Sequence, residues 1–321
     1  MDPMKKAAEL RKFWHGFWPA RALITANNLG VFEATKQKRN SSDIARRLKT
    51  DPRGTEILLD ALAGLGFLKK SSGQYVNTRD TSIFLCRGSE YYQGDIMRHA
   101  ENMWNSWSNL DSVVKTGQIA PRRGEMDFES FILGMHNIAV FKAGPVLKAV
   151  GLKGVNSALD LGGGPGTYSM EMIRGGVKSV TLFDAPQTIK IASRFTKKHG
   201  VKGINFLKGD FLKDDFGRGY DLILMSNILH SHSPEDCYLL ALKAKAALNP
   251  GGRAVIHAFN LEENRTTPSS SSLFSINMLL NNNGRCYTFS EYKSFLKKAG
   301  LSEIKKKVLV DSIIVQGRLI G

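Results

Sequence analysis

The feature that most constrains this chain is a glycine-rich turn between an apolar run and a predicted helix. In the stretch ALDLGGGPGTYS, the predicted strand ends at Leu161 and the predicted helix begins near Thr167. Four glycines among residues 162–166 let the backbone turn sharply and approach a ligand without a Cβ in the way. In a doubly wound sheet this turn lies at the carboxyl edge of the strands, where ligands bind. The turn therefore predicts a ligand site, and a turn without a ligand is the weaker interpretation.

The second part of the chain alternates short apolar runs with segments long enough for helices. The runs are SALDLGG, SVTLFDA, GINFLKG, YDLILMSN, RAVIHAF and DSIIVQGRL. The intervals between the first five fit helices, which is typical of a parallel sheet covered on both faces. We therefore expect an α/β domain in this part.

The first part, residues 1–115, is predicted to be helical with one β-hairpin. Ser42 is a candidate cap for one helix, and Asp51 followed by proline can begin the next. GFLKKSSGQYV then reads as two extended runs around a Ser-Ser-Gly turn. This order is the winged-helix pattern, which serves either DNA binding or dimerisation.

Composition limits the class of protein. A chain of 321 residues that is 42% hydrophobic fits two domains with substantial cores. No apolar run is long enough to span a bilayer, and the N-terminus lacks the apolar segment of a signal peptide. The cysteines, Cys86, Cys237 and Cys286, are too scattered for a disulfide framework or a zinc knuckle, so we expect a cytoplasmic protein. The formal charge of +16 is spread along the chain, which favours an ordinary basic surface over a nucleic-acid partner.

The strand after the glycine turn indicates a nucleoside ligand. SVTLFDAP carries Asp184 twenty residues after Gly164, a distance at which a carboxylate can accept hydrogen bonds from both ribose hydroxyls. Alone, such an aspartate is more often a helix cap. The dinucleotide fingerprint G-x-G-x-x-G is not matched, because Thr167 stands where its third glycine would fall.

The pattern D-x-G-G-G-x-G instead resembles motif I of class I S-adenosylmethionine-dependent methyltransferases. Nearly the whole chain resembles their two-domain small-molecule O-methyltransferases, the group of plant caffeate-type, acetylserotonin and bacterial antibiotic and pigment O-methyltransferases. The motifs are LLDALAGLGFLKKSSGQYVNT, LDLGGGPGTYS, GDFLKD, ILHSHSPEDC, LNPGGR and SINMLLNNNGRCYTFSEYKSFLKKAGL. The resemblance implies a doubly wound, mostly parallel, seven-stranded sheet at 116–321, after a winged-helix domain at 1–115 that forms a homodimer. It also implies the cofactor S-adenosyl-L-methionine and a small-molecule acceptor.

The same resemblance assigns site residues. Asp210 and Phe211, in GDFLKD, match the adenine site, where the carboxylate takes the exocyclic amine and the aromatic ring packs on the base. The predicted cofactor-binding residues are Asp160, Gly162, Gly164, Gly166, Asp184, Asp210, Phe211 and Ser226. The predicted substrate-binding residues are Met135, Asn277 and Met278, for which helix core is the alternative interpretation.

In NILHSHSPEDC, His230 takes the place of the family's general base, and His232 takes the place of a tryptophan. His230 follows the strand YDLILMSN, so we expect it beside the cofactor's methyl group. A histidine can remove a hydroxyl proton near neutral pH, an effect of roughly 10²–10⁴-fold in rate. The candidate general base is therefore His230.

The chain departs from the family around this base. The two acidic partners that the family supplies are replaced by Ala258 and Cys286. Glu262 or Glu263 is a candidate substitute for these acidic partners of His230. His257, near the end of the neighbouring strand, points either into the cleft or into the sheet, and structural histidines are the commoner kind.

A metal site is the competing interpretation of the histidines. His230, His232 and His257 could converge on one ion, but no acidic or cysteine ligand completes the set at a recognisable spacing. We predict methyl transfer to a small-molecule hydroxyl, in particular a phenolic one, without a metal. The alternatives are a C-methyltransferase, a relative that binds the cofactor but performs other chemistry, and a winged-helix DNA-binding regulator.

Overall fold

The computed structural model of the chain describes residues 2–119 and 126–320. It divides into two compact units, Met1–Asn102 and Met103–Gly321. The sequence-based division at 115 stays a prediction.

The first unit packs helices around a small antiparallel sheet of strand order β1-β3-β2. Phe32, Leu59 and Tyr75 are fully buried in its core. The side chain of Asn40 accepts from the Asp43 amide and caps α4, so the expectation that Ser42 is the cap was wrong. The elements are α1 (Pro3–His15), α2 (Phe17–Leu29), α3 (Val31–Ala34), β1 (Arg39–Asn40), α4 (Ser41–Leu48), α5 (Pro52–Gly64), β2 (Leu68–Ser71), β3 (Gln74–Asn77) and α6 (Arg79–Leu85), followed by α7 (Gly94–Trp107), which crosses the junction.

The second unit is built on a seven-stranded sheet of order β6-β5-β4-β7-β8-β10-β9. The first five strands in this order are parallel, and β10 runs antiparallel to both neighbours. The expected doubly wound, mostly parallel α/β fold is confirmed. The elements are α8 (Leu110–Thr116), α9 (Phe128–Ala139), α10 (Ala143–Val150), β4 (Ser157–Leu161), α11 (Thr167–Arg174), β5 (Ser179–Asp184), α12 (Pro186–Lys198), β6 (Ile204–Lys208), β7 (Tyr220–Ser226), α13 (Pro234–Ala247), β8 (Leu248–Phe259), α14 (Ser269–Asn281), α15 (Phe289–Lys298), β9 (Ser302–Val308) and β10 (Ser312–Arg318).

The central strands owe their position to continuous apolar sequence. Leu159 in β4, Ile223 in β7 and Val255 in β8 are completely buried, as expected where helices cover both faces. The strand β9 was missed in the sequence, because SEIKKKV is exposed along most of its length and has no apolar run. An edge strand needs backbone pairing on one side only, so its composition carries a weak signal.

Helix starts carry the expected local signals. Ser233 caps α13 with Pro234 in the first turn, and Thr288 forms a capping box with Glu291 at α15. Among the described helices, no single one has both the length and the composition to cross a membrane. Only α9 and α10 taken together, bent by 61°, satisfy both criteria.

Candidate active site

The glycine turn follows β4 at the carboxyl edge of the sheet and leads into α11. A Cβ at Gly162 would overlap the Ile228 side chain and would lie 3.6 Å from the ring of Phe211. Gly164 has a φ of +55°, and a Cβ there would meet no atom within 4 Å. The turn is therefore packed on one side and open on the other, which leaves room for a ligand to approach its backbone.

Asp184 at the end of β5 reaches back to this turn. Its Oδ2 accepts from the Gly164 amide at 2.9 Å, and its Oδ1 accepts from the Ala185 amide at 2.7 Å. Burial raises the pKa of Asp184, although these hydrogen bonds and one from Thr188 oppose the rise. A carboxylate has about four acceptor sites, so the two amide bonds and the Thr188 bond still leave capacity for a ligand hydroxyl.

Asp160 lies beneath the turn. It is 1% exposed, and its Oδ2 accepts from the Ser169 hydroxyl of α11 at 2.6 Å. Burial raises the pKa of Asp160 to about 6. A Cβ at Gly163 would come within 2.8 Å of the same Oδ2. Because the Asp160 carboxylate is hydrogen-bonded to Ser169 within the protein, Asp160 shapes the turn in this structure.

Asp210 and Phe211 follow β6 on the same edge. Oδ1 of Asp210 accepts from the Leu212 amide at 2.9 Å and from the Lys213 amide at 3.3 Å, and the residue is exposed. The ring of Phe211 lies 5.7 Å from that of Phe183, between centroids. An exposed carboxylate beside a half-buried aromatic ring provides one polar and one apolar surface near Gly162.

Ser226 at the end of β7 belongs to a buried polar cluster. Its hydroxyl lies 2.8 Å from Nδ1 of His257, and the Tyr168 hydroxyl lies 3.3 Å from the same nitrogen. His257 is 1% exposed and points into the sheet, and burial lowers its pKa to about 4. The cluster connects α11, β7 and β8 beside the turn. Within it, the Ser226 hydroxyl is already engaged with His257.

His230 lies in a 3-10 turn, Leu229–Ser231, just after β7. It is 8% exposed, and burial, followed by the proximity of His232, lowers its pKa to about 4. Nδ1 is buried and has no hydrogen-bond partner in the described part of the chain. The rings of Phe274 and Phe259 lie 5.0 and 5.8 Å away, between centroids. The imidazole therefore stands in an aromatic environment and is neutral at physiological pH.

Neither candidate glutamate serves this histidine. Glu263 accepts from the Ser290 amide at 3.0 Å, and Glu262 accepts from Asn260 at 3.2 Å. Ala258 and Cys286, at the positions of the family's acids, are buried and uncharged at neutral pH. In the described residues Nδ1 of His230 has no hydrogen-bond partner, so neither glutamate replaces the missing acids in this structure.

The turn that carries His230 is held from the other side by residues 284–287. A Cβ at Gly284 would overlap the His230 carbonyl, so only glycine permits this approach. The Tyr287 hydroxyl donates to the His232 carbonyl at 2.6 Å. His232 itself is half-buried, with its ring 6.2 Å from that of Phe211. In the described residues no group of three histidine, cysteine or acidic side chains could hold a metal ion.

The predicted substrate residues lie on two helices. Asn277 and Met278 are buried on α14, the helix that also brings Phe274 to His230. The side-chain Oδ1 of Asn277 accepts from the Trp107 indole at 3.2 Å. Met135 is half-buried on α9.

Sequence reasoning missed the aromatic residues around the candidate base. Phe259 and Phe274 stack at 4.2 Å between centroids, and both face His230. The sequence placed both residues next to predicted site residues. Phe259 ends the strand of His257, and Phe274 directly precedes the motif SINM. Only the packing of α14 against the 3-10 turn brings them together.

Two family models match the chain. The model of the O-methyltransferase domain covers residues 118–302, and that of the O-methyltransferase dimerisation domain covers residues 12–87. Together they extend over both parts of the chain.

Two curated relatives match along most of their length. A 3-hydroxy-5-methyl-1-naphthoate 3-O-methyltransferase of Streptomyces sahachiroi is 30% identical, with 90% of this chain and 88% of the relative covered. The acetylserotonin O-methyltransferase of Gallus gallus is also 30% identical, with 92% of each chain covered. The crystal structure of human N-acetylserotonin methyltransferase with SAM superposes with a TM-score of 0.89 at 25% identity, covering 100% of this chain and 99% of the other.

Proposed function

The chain belongs to the S-adenosylmethionine-dependent O-methyltransferases, and on that premise we propose that it methylates an acidic hydroxyl of a small aromatic molecule, with His230 as the base. The observation that carries this proposal is the position of His230, buried beside the stacked rings of Phe259 and Phe274 just beyond the strand edge that bears the glycine turn. Relatives named for O-methylation favour oxygen over carbon as the acceptor.

The residues at the glycine turn fit the cofactor. The open side of Gly164 admits a ligand against the backbone, and Asp184 retains acceptor capacity for a ribose hydroxyl. Phe211 offers a ring face for the adenine, and Oδ2 of Asp210, which lies 3.7 Å from the exposed ammonium of Lys213, is suited to its amine. The bound cofactor supplies an electrophilic methyl group on a sulfonium. Asp160 and Ser226 support the turn in this proposal rather than contact the ligand.

The chain's own contribution is to position the acceptor and to take its proton. Because Nδ1 of His230 is buried, only Nε2 can meet a substrate hydroxyl. The aromatic rings beside it exclude water and suit a flat acceptor. Positioning of this kind accounts for much of the catalysis of a displacement reaction.

The same geometry determines which hydroxyl can react. A proton taken up at Nε2 would place a positive charge in this buried aromatic site, where no acceptor of the described residues meets the Nδ1–H, and burial lowers the pKa of His230 to about 4. Such an imidazole is a weak base, so the acceptor hydroxyl must itself be acidic. A phenol activated by an electron-withdrawing substituent meets this requirement better than an alcohol does.

The test is methyl transfer from labelled S-adenosylmethionine to a series of phenols of decreasing pKa. We expect the rate to rise as the phenol becomes more acidic. His230→Ala should lower the rate by roughly 10²–10⁴-fold, least for phenols already ionised at the assay pH. Binding of S-adenosylhomocysteine should stay intact, which separates loss of the base from loss of the fold.

His232→Gln is the matched control, since it alters the neighbouring histidine without removing the proposed base. Transfer that is undiminished in His230→Ala, or reduced equally in both variants, would remove His230 as the base. A product methylated on carbon would overturn the hydroxyl assignment itself.

We also propose that the first unit is a winged helix that forms a homodimer in the cytoplasm. The order of α4, α5 and the β2–β3 hairpin supports the motif, and the dimerisation-domain match at 12–87 supports the dimer. Phe13 and Trp14 on α1 are 84% and 57% exposed, and large exposed aromatic residues are enriched where partners meet. The three cysteines are free and buried, which agrees with a reducing compartment.

A further inference from the structure

A cavity of about 390 Å³ opens at the amino edge of the seven-stranded sheet, opposite the glycine turn. Its wall comes from the segment before β4, the starts of β7, β8 and β9 and the end of β10. Strands of five to seven residues at about 3.3 Å per residue place it roughly 15–20 Å from the candidate active site. Its charged lining residues are Lys153, Asp221, Arg253, Glu303, Lys305 and Arg318.

Positive charge in this lining is not balanced. Four of the six charged side chains are cations, and no carboxylate of the described residues lies within ion-pair distance of any of them. Asp221 is used locally, because its Oδ2 accepts from the Asn156 and Ser157 amides and its Oδ1 accepts from Asn249. Burial raises the pKa of Asp221, but these hydrogen bonds outweigh it and lower the pKa overall.

Two of the cations face each other across the sheet. Arg253 of β8 and Arg318 of β10 are direct partners in the antiparallel ladder. Like charges directly opposite each other destabilise a strand pair. Burial lowers the pKa of Arg253, and the nearby charge of Arg318 lowers it further. An arrangement that costs stability in the free protein is favourable when an anion lies between the two groups.

Backbone carbonyls hold both groups in place. Arg253 donates to the Gly151 carbonyl, and Nε of Arg318 donates to the Gly251 carbonyl at 2.9 Å. A guanidinium group has five donors, so each arginine keeps several for a ligand. The bonds to carbonyl oxygens restrict the side chains without neutralising them, which lowers the entropic cost of binding.

We propose that this cavity binds a small phosphorylated molecule at a site separate from the methyl-transfer site. Planar guanidinium groups match phosphate oxygens in paired hydrogen bonds, and a doubly charged phosphate offsets more of the four cations than a single carboxylate does. The volume lies within the range of small-molecule sites and exceeds what inorganic phosphate alone would fill. The proposal does not depend on the identity of the methyl acceptor.

Lys305 and Lys306 provide a matched pair of variants for the test. They are neighbours on the edge strand β9, so their side chains point to opposite faces. Lys305 lines the cavity, whereas Lys306 lies 5.2 Å from the centre of the Phe289 ring. Lys305→Gln and Lys306→Gln therefore remove the same charge from the same strand, but only the first removes it from the cavity.

The experiment is calorimetric titration of the full chain with inorganic pyrophosphate at constant ionic strength. We expect saturable binding that is about tenfold weaker or more in Arg318→Gln, since a charge-assisted hydrogen bond is lost. Lys305→Gln should weaken it by about threefold, whereas Lys306→Gln should change it by less than about twofold, because Lys306 lies outside the cavity. Affinity for S-adenosylhomocysteine should be the same in all variants and with pyrophosphate present.

Three results would overturn the proposal. The first is the absence of saturable binding to the unmodified chain. The second is equal weakening in Lys305→Gln and Lys306→Gln, which would mean attraction by overall surface charge. The third is competition between pyrophosphate and S-adenosylhomocysteine, which would put the anion at the cofactor site.

Discussion

Gly164 is the single residue on which the open side of the turn depends. Its φ of +55° is costly for any residue with a Cβ, and the space beside it is empty of protein atoms. Gly176, between α11 and β5, has a φ of +91° and is equally open, but lies at the other end of α11. The two positions share the backbone requirement and differ in their distance from the cofactor site.

We expect Gly164→Ala to bind S-adenosylhomocysteine about tenfold more weakly or worse, since about 1–2 kcal/mol of backbone strain falls on the ligand-facing turn. Gly176→Ala should lose a similar amount of folding stability and keep its affinity. Calorimetric titration and urea unfolding of both variants measure the two effects. Equal affinity in the two variants would mean that the turn does not hold the ligand.

Single residues also show what the sequence could predict. The glycine turn, Asp184 and His230 were located because short-range patterns mark strand ends, and parallel strands bring those ends to one edge. The contact of Phe274 with His230 and the engagement of Glu263 by the Ser290 amide were not predictable. Both join residues distant along the chain through helix packing, for which no local pattern exists.

At the level of elements, α1 has no buried residue of its own. Its exposed apolar side chains include Met4, Leu10, Phe13 and Trp14. An isolated helix of 13 residues is only marginally stable in water, so its persistence requires a covering surface. The proposed homodimer supplies that surface.

The double variant Phe13→Glu/Trp14→Glu should therefore shift the chain from dimer to monomer, because two charges would have to be desolvated at the interface. Light scattering coupled to size-exclusion chromatography measures the mass. Val310→Glu, at a fully exposed apolar residue between β9 and β10, is the control and should stay dimeric. A dimer that survives the double variant would exclude α1 from the interface.

For the whole molecule, buried histidines dominate the response to acid. Burial lowers the pKa values of His136, His230 and His257 from about 6.5 to about 4. Between these values the unfolded chain binds more protons than the folded one, so stability is full above about pH 6.5 and falls toward pH 4. Asp160 opposes this trend, because burial raises its pKa to about 6 and the fold keeps its proton.

Four histidines with lowered pKa values, His232 among them, against Asp160 and Asp184 with raised pKa values give a net loss on the order of 1–3 kcal/mol of unfolding free energy per pH unit between pH 6 and 5. Urea unfolding at several pH values measures the slope. His257→Asn should flatten it, whereas Gln187→Asn, at an exposed and non-titrating position of α12, should leave it unchanged. A slope that is the same in both variants would show that His257 is already protonated in the fold.

The exposed strand β9 has a consequence for how the chain associates. Among the described strands it is the last one of the sheet, and such an edge can recruit a strand of another copy into a continuing sheet. The run Lys305–Lys307 sets positive charges along that edge, so two copies repel each other where their sheets would join. We therefore expect the lysines to oppose aggregation through this edge, which is compatible with the proposed homodimer through α1.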